Sequence, residues 1–309
     1  MLIRRRSWGA DERAVARRAR RLFGTPRPFQ WLWTLGLNVR PINESIDGGR
    51  VVRGEWIEPQ RTDDEGVIFY IHGGGYVSCS AGTHRPITSA LARLARRRVF
   101  SLDYRLAPEH RYPAALDDVI AAYDWLRTRK GIPASAISLA GDSAGGGLVL
   151  ASLLRLRDEG VALPACAVCF SPWTDLAGEG ESHNFNDGRC AMFYAENNDD
   201  FARAYLGDAS PRQHYASPAY ADCAGLPPIL LQVGSTELLL DDARRVHRKI
   251  QAAHEQSHLN HKSHLVIYED VAHCWQMLNR FVPESRAAML QAASFIRDPL
   301  SFKDDASKP

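Results

Sequence analysis

The chain has 309 residues, of which 45% are apolar and 24% charged. The length suits one large domain or a domain that carries a smaller elaboration, and the composition is ordinary for a globular enzyme. Its 38 basic and 36 acidic residues leave a net charge of +2, which gives no reason to expect nucleic acid or an acidic partner. No run approaches the roughly 18 apolar residues of a membrane span. The start, MLIRRRSWGADER, has no apolar stretch after its basic residues, so we expect no secretory signal.

The first 21 residues contain eight arginines. A helix-like piece over 11–23 also carries an apolar stripe that includes Val15 and Ala19. This combination indicates a helix with a solvated basic face that packs on the rest of the chain, rather than a surface for membrane or nucleic acid. The aromatic run FQWLWTLGL (29–37) follows it.

The segment ESIDGGRVVRGEWI (44–57) predicts an antiparallel hairpin with a glycine-rich turn. From residue 66 onward, short apolar runs alternate with helical patterns. The predicted strands are 67–72, 98–104, 136–141, 165–171, 229–234 and 264–270. The predicted helices are 84–97, 113–130, 144–159, 241–254 and 283–297. The alternation predicts an α/β fold with a doubly wound, mostly parallel sheet of about eight strands.

Two segments do not follow the alternation, 1–37 and 175–215. Both are rich in aromatic residues and methionine, and we expect them to pack together as a helical cap over one edge of the sheet. The core then comprises 38–174 and 216–300, followed by a polar tail over 301–309.

The six cysteines have no framework spacing. Cys166 and Cys169 form C-x-x-C inside a predicted strand, where residues three apart point to opposite faces and cannot easily share a metal. We expect six reduced thiols in a cytoplasmic protein.

The strongest chemical signal is GDSAGGG (141–147), between a predicted strand and a predicted helix. It places Ser143 in G-x-S-x-G, the nucleophile-elbow pattern, in which a tight turn leaves the serine exposed above a helix N-terminus. A phosphate-binding loop would need G-x-x-x-x-G-K-[ST], and this stretch has no lysine.

The second signal is HGGGY (72–76), at the end of the strand 67–72. Acyl transfer builds negative charge on the former carbonyl oxygen, and glycines let backbone N–H groups approach that oxygen. The amide of Ala144, which follows Ser143, can add a further N–H. We interpret His72, which leads the loop, as a structural anchor rather than a base.

Four motifs in this order resemble the bacterial hormone-sensitive-lipase-like esterases (family IV carboxylesterases), an α/β-hydrolase family. They are HGGGY (72–76), DYRLAPEHRYPAAL (103–116), GDSAGGG (141–147) and SPWTDL (171–176), and the likeness covers roughly 66–285. The family's chain order is serine, acid, histidine.

The resemblance implies Ser143 as nucleophile, His273 as general base, and the amides of Gly74, Gly75 and Ala144 as oxyanion hole. His273 is also indicated by its own position, in a short loop directly after a core strand, where ligand and catalytic groups collect. A competing group, His254, His258, His261 and His264, could in principle bind a metal, but it lies in a polar connection with no acidic or cysteine partner fixed nearby. We therefore expect no metal and no cofactor.

The stretch GSTELLLDD (234–242) contains three acids. Asp241 and Asp242 fall in the first turn of a predicted helix, where a carboxylate caps free N–H groups and meets the positive end of the dipole. The related esterases carry D-P-L-x-D here, with the first acid in the triad. Glu237 occupies that position, although this chain has Glu for Asp and lacks the proline; Asp241 is the alternative.

The predicted function is hydrolysis of acyl esters of about two to eight carbons, with lactones as further substrates. A silent ligand-binding relative and a peptidase are the alternatives, and a homodimer is compatible with the sequence. The expected pocket residues are the oxyanion-loop residue Tyr76 and the aromatic and methionine side chains of the predicted cap: Phe29, Trp31, Trp33, Phe185, Met192, Phe193, Phe201 and Tyr205.

Overall fold

The computed structural model of the protein describes residues 8–9, 11–24, 31–256 and 262–303. Within these residues, eight strands form one sheet in the order β1-β2-β4-β3-β5-β6-β7-β8. The strands are β1 (Leu37–Ser45), β2 (Val51–Pro59), β3 (Val67–Ile71), β4 (Arg98–Leu102), β5 (Ile137–Asp142), β6 (Cys166–Phe170), β7 (Ile229–Gly234) and β8 (Ser263–Tyr268). The strands β1 and β2 form the predicted antiparallel hairpin, and β3 to β8 run parallel. The predicted doubly wound sheet is confirmed.

The helices connect these strands and cover both faces of the sheet. They are α1 (Glu12–Phe23), α2 (Arg85–Ala95), α3 (Ala114–Thr128), α4 (Ala144–Asp158), α5 (Ser182–Phe185), α6 (Ala195–Leu206), α7 (Leu240–Gln256) and α8 (Pro283–Arg297). Core side chains of α3 and α4 share one apolar cluster with one face of the sheet, whereas those of α2 and α8 share another with the opposite face. Parallel strands covered on both sides are apolar in both directions, which explains the continuous apolar runs.

Strand β6 shows the same two-faced burial. Cys166 lies in the cluster under α2 and α8, and Cys169 lies in the cluster under α3 and α4. The two thiols therefore point to opposite faces, as the C-x-x-C spacing on a strand predicts. All six cysteines are free thiols.

The two irregular segments meet through aromatic contacts. Helix α1 packs on α6. The Trp8 ring centroid lies 6.1 Å from that of Phe23 and 5.2 Å from that of Phe201, and the Trp8 amide donates to the Asp200 carboxylate at 2.8 Å. The expected solvated basic face of α1 is only partly present, because the Arg20 guanidinium is bonded to protein groups. It donates to two backbone carbonyls and to the Glu109 carboxylate.

Among the described residues, no helix is both long and apolar enough to cross a membrane. Phe29 of the expected pocket, along with 1–7 and most of the predicted polar tail (304–309), lies outside the described residues.

Helix α4 approaches the sheet so closely that there is no room for a side chain at Gly145. A Cβ on Gly145 would lie 2.1 Å from the Ile71 carbonyl oxygen and 2.5 Å from that of His72. Both contacts are with backbone atoms of β3 and the residue after it, which cannot move aside without displacing the strand.

We predict that Gly145→Ala lowers the free energy of unfolding by about 3 kcal/mol, because inserting an atom into a packed core displaces backbone. Gly160, just beyond the other end of α4, is the control: its φ is +67° and a Cβ there would meet nothing within 4 Å. Gly160→Ala therefore lowers the free energy of unfolding by only about 1–2 kcal/mol, the cost of placing a residue with a Cβ in the left-handed backbone conformation. Urea unfolding of both variants measures the difference, and equal losses would contradict the close approach.

Candidate active site

Ser143 lies in a strained turn between β5 and α4. Its φ is 53° and its ψ is −123°, which is rare for a residue with a side chain. Its amide donates to the Phe170 carbonyl at 2.8 Å, which ties the turn to the neighbouring strand β6. The turn holds the hydroxyl at the carboxyl end of the sheet, as the nucleophile-elbow pattern predicts.

A chain of two hydrogen bonds connects Ser143 to a buried carboxylate. His273, in the loop after β8, has its Nε2 2.9 Å from the Ser143 Oγ and its Nδ1 2.5 Å from the Glu237 Oε2. With the ring proton on Nδ1, the imidazole donates to Glu237, and Nε2 can accept the hydroxyl proton. His273 and Glu237 are only 5% and 1% exposed, so the carboxylate stabilises the imidazolium with little solvent screening.

The second oxygen of the Glu237 carboxylate is fixed from two sides. Oε1 accepts from the Gly234 amide at 2.6 Å and from the Ser171 hydroxyl at 2.7 Å. These bonds leave Oε2 facing the imidazole. The structure thus brings together the predicted serine, histidine and glutamate.

Asp241 and Asp242 are in the first turn of α7, but the prediction that they cap their own helix is wrong. The Asp242 carboxylate accepts from the amides of Thr174 and Asp175 at 2.7 and 2.8 Å, and that of Asp241 accepts from the Ser182 amide at 2.8 Å. Burial, together with the negative charge of Asp175, raises the pKa of Asp242 well above its usual range. Both side chains therefore hold the start of the 175–215 segment against α7.

Two further residues of that segment hold the turn that carries Glu237. The Asn186 Nδ2 donates to the carbonyls of Ser235 and Glu237 at 3.1 and 2.8 Å. The Ser182 hydroxyl donates to the Leu238 carbonyl at 2.7 Å and accepts from the Asp241 amide at 2.9 Å. Asn186 and Ser182 were not identified from the sequence, because neither lies in a recognisable motif. Ser171, which also holds Glu237, does lie in one, SPWTDL.

The glycine loop lies beside Ser143 with its amides free. Gly74 and Gly75 have φ of +114° and +62°, and a Cβ on Gly74 would lie 2.4 Å from the Ser78 carbonyl oxygen. Within the part of the chain that the structure describes, the amides of Gly74, Gly75 and Ala144 have no hydrogen-bond acceptor. Backbone donors of this kind suit an oxygen that gains negative charge.

A buried ionic cluster fixes the base of this loop. The Asp142 carboxylate accepts from the Gly73 amide at 3.0 Å and the Tyr70 hydroxyl at 2.5 Å, and lies 3.1 Å from the His84 Nε2. Burial alone would raise the pKa of Asp142, but the charge and hydrogen bond of His84, with the Tyr70 hydrogen bond, hold it at about 2. Asp142 therefore stays ionised near neutral pH, and its carboxylate fixes the Gly73 amide at the start of the glycine loop.

His72 is held as an anchor and not as a base. Its ring stacks on Tyr104 with centroids 4.2 Å apart, and its backbone carbonyl accepts from the Tyr104 hydroxyl at 2.9 Å. Burial and the nearby His84 lower the pKa of His72 to about 3, so its ring is neutral.

A cavity of about 140 Å³ opens onto Ser143, His273 and the glycine loop. Its wall is mainly apolar. The larger side chains on it are Phe23, Trp173, Met192, Phe193, Phe201, Leu238, Leu239 and Met277. Of the predicted pocket residues, Phe193, Met192 and Phe201 are on this wall.

Five of the pocket predictions are wrong, because these side chains are not on the cavity wall. Tyr76 and Tyr205 stack on each other with centroids 3.8 Å apart and are fully buried away from the cavity. Trp31 is 57% exposed, and Trp33 packs against Phe281. Phe185, also expected there, is 47% exposed. Aromatic content alone could not distinguish side chains that support the cap from those that face the cavity.

The alternative histidine group is only partly described. The His254 Nε2 donates to the Leu226 carbonyl at 2.9 Å, and His264 packs against Phe295 and Phe302. His258 and His261 lie outside the described residues.

Comparison with known proteins agrees with this fold. Residues 68–277 match a family described as having the alpha/beta hydrolase fold. An acetyl-hydrolase from Streptomyces hygroscopicus is 42% identical over 245 residues, 79% of each chain. An esterase from Acinetobacter venetianus is 37% identical over 79% of this chain and 78% of its own. The solved structure of an esterase from the bacterial hormone-sensitive lipase family superposes with a TM-score of 0.79 at 38% identity, covering 95% of this chain and 99% of its own.

The chain belongs to this α/β-hydrolase family, in its hormone-sensitive-lipase-like branch. In this hydrolase the Glu237 carboxylate is held by hydrogen bonds from the Gly234 amide and the Ser171 hydroxyl.

We predict that Glu237→Gln lowers kcat/KM by orders of magnitude with little change in melting temperature. The amide is isosteric but uncharged. When its oxygen keeps the bonds to Gly234 and Ser171, its NH2 group faces Nδ1, and this group can neither accept the Nδ1–H nor stabilise the imidazolium. Asp241→Asn is the matched control, because an amide oxygen can still accept from the Ser182 amide, and it stays near wild type. Steady-state kinetics of both variants decide between them, and the reverse pattern would assign the role to Asp241.

Proposed function

We propose that Ser143, His273 and Glu237 form the catalytic triad of this carboxylic ester hydrolase. The Ser143 Oγ attacks the ester carbonyl while the His273 Nε2 takes its proton. The imidazolium then protonates the leaving alcohol, and water repeats the sequence on the acyl-enzyme. The observation that carries this proposal is the continuous hydrogen-bonded path from Glu237 through His273 to Ser143.

We assign the oxyanion hole to the amides of Gly74, Gly75 and Ala144. Gly74 and Gly75 line the cavity beside Ser143, and Ala144 directly follows Ser143. None of the three amides has an acceptor among the described residues. The Asp142 carboxylate supports the loop through the Gly73 amide, so these donors are in place before the substrate arrives. Donors that need no reorganisation at the moment of reaction stabilise the transition state most.

The proposed substrates are esters with acyl chains of about two to eight carbons, with lactones as cyclic counterparts. The cavity of about 140 Å³ is close to the roughly 150 Å³ apolar cavity that takes up benzene in another protein, and so suits about six carbons. The names acetyl-hydrolase and esterase given to the relatives agree with small acyl groups. A silent ligand-binding relative would not need the ordered His273, and no observation favours a peptidase.

We further propose that 1–37 and 175–215 act together as the cap, which the packing of α1 on α6 supports. The core would then comprise 38–174 and 216–300. A reducing compartment such as the cytoplasm is proposed from the six free thiols. Association into a homodimer stays a prediction.

We predict that kcat/KM for p-nitrophenyl esters rises from two carbons by up to about fourfold per methylene, since each buried methylene contributes ~0.8 kcal/mol, and falls beyond eight. Ser143→Ala is the control: it folds and loses activity by several orders of magnitude on every ester. A spectrophotometric series from two to sixteen carbons, with a peptide p-nitroanilide beside it, makes the measurement. Near-normal turnover by Ser143→Ala would refute the triad, and a best rate at sixteen carbons or on the peptide would refute the substrate class.

A further inference from the structure

Among the described residues that line the cavity, Asn198 is the one carboxamide, and most of the other side chains are apolar. Asn198 lies on α6, one helical turn before Phe201. The Phe201 ring in turn packs on the glycine loop, 3.0 Å from where a Cβ on Gly75 would be. Asn198 is therefore close to the proposed oxyanion hole, on the cap side of the cavity.

The oxygen- and nitrogen-bearing side chains elsewhere on the wall are engaged in hydrogen bonds. Thr83 donates to the Ser80 carbonyl, His84 pairs with Asp142, and Ser143 bonds to His273. These groups satisfy one another or serve the proposed chemistry. None of them needs a group on the substrate to complete its hydrogen bonding.

Asn198 is the exception. It is only 8% exposed, yet its side chain has no hydrogen-bond partner among the described residues of the chain. Its neighbour Asn197 shows the contrast, because the Asn197 Oδ1 accepts from the Tyr194 amide at 2.9 Å and closes the first turn of α6. A carboxamide offers two donors and an acceptor oxygen. Those of Asn198 open onto the cavity, so a substrate that fills the cavity covers them and must pair with them or leave them unsatisfied.

A helix position that faces an apolar cavity does not need a polar side chain for folding. A leucine of nearly the same shape would pack against Phe193 and Phe201 without that cost. A carboxamide that faces the cavity with no partner from the fold is available to a substrate, and a substrate atom that completes its hydrogen bonds gives it a role.

We propose that Asn198 is a specificity-determining residue that recognises an oxygen-bearing group on the substrate. The preferred ester then carries a hydroxyl or carbonyl oxygen a few carbons from the ester carbonyl, rather than a plain alkyl chain. The carboxamide can donate to either oxygen and accept from a hydroxyl. This inference rests on the proposed function and narrows its substrate class to oxygenated short-chain esters.

The selectivity follows from the cost of an unpaired group. When a plain alkyl chain fills the cavity, it covers the Asn198 carboxamide and leaves it without a partner. When an oxygenated chain fills it, the hydrogen bond is made inside a low-dielectric site, where it is stronger than in water. The discrimination is between substrates of the same size, so it is separate from the chain-length preference.

The test uses two pairs of esters in which a terminal methyl is replaced by a hydroxyl. Methyl butyrate with methyl 3-hydroxypropanoate probes the acyl side, and propyl acetate with 2-hydroxyethyl acetate probes the alcohol side. Hydrolysis is followed by pH-stat titration, and the measured quantity is the ratio of kcat/KM for the hydroxylated ester to that for the plain one. The variants are Asn198→Leu, which keeps the shape, and Asn198→Ala, which removes the carboxamide without adding bulk. Asn184→Leu, the same change at an exposed position off the cavity wall, is the control.

In the pair whose oxygen meets Asn198, we expect the ratio to fall about tenfold in both Asn198 variants and to stay at the wild-type value in Asn184→Leu. The pair that responds identifies the side of the ester. Ratios unchanged in both pairs, or changed equally by Asn184→Leu, would overturn the role of Asn198 while leaving the triad intact. A wild-type protein that hydrolyses none of the four esters would instead refute the proposed function, and this inference with it.

Discussion

The site depends on the hydrogen bonds that hold the buried carboxylate of Glu237. One of its oxygens is held by the Gly234 amide and the Ser171 hydroxyl, at the ends of β7 and β6, and the other meets His273. A buried carboxylate is stable only when its oxygens are hydrogen-bonded. The hydrogen bonds that offset the cost of burying the Glu237 carboxylate are thus the same bonds that orient the His273 imidazole towards Ser143.

The core was predictable because its signals are local. Apolar runs of five or six residues separated by helical periodicity define β3 to β8, and the tight turn around Ser143 requires glycine wherever α4 approaches β3. Glu237 was predictable by elimination: Asp241 and Asp242 begin a helix, and the third acid follows a strand. The prediction placed Asp241 and Asp242 correctly in the first turn of a helix but assigned them the wrong hydrogen-bond partners. Their carboxylates accept from amides of residues 174–182 rather than from amides of their own helix.

The cavity wall was not predictable in the same way. Whether an aromatic side chain faces the cavity depends on how the 175–215 segment packs on α1 and the core, which is a long-range property without a sequence period. Tyr205 and Phe201 are one turn apart on α6, yet Phe201 lines the cavity while Tyr205 stacks beneath it on Tyr76. Asn186 and Ser182 hold the turn that carries Glu237 through hydrogen bonds to backbone carbonyls. Every residue has such a carbonyl, so no sequence pattern at residues 237–238 reveals these bonds.

Covalent capture of the nucleophile tests the central claim, that Ser143 is the residue activated by His273 and Glu237. An alkyl fluorophosphonate reacts when an activated hydroxyl attacks phosphorus, the P–O bond forms and fluoride leaves. Intact-mass and peptide mapping of the treated protein locate the adduct. We expect one equivalent of phosphonate on the peptide that contains Ser143, with esterase activity lost in proportion. An adduct on any other residue, or full activity after stoichiometric labelling, would contradict it.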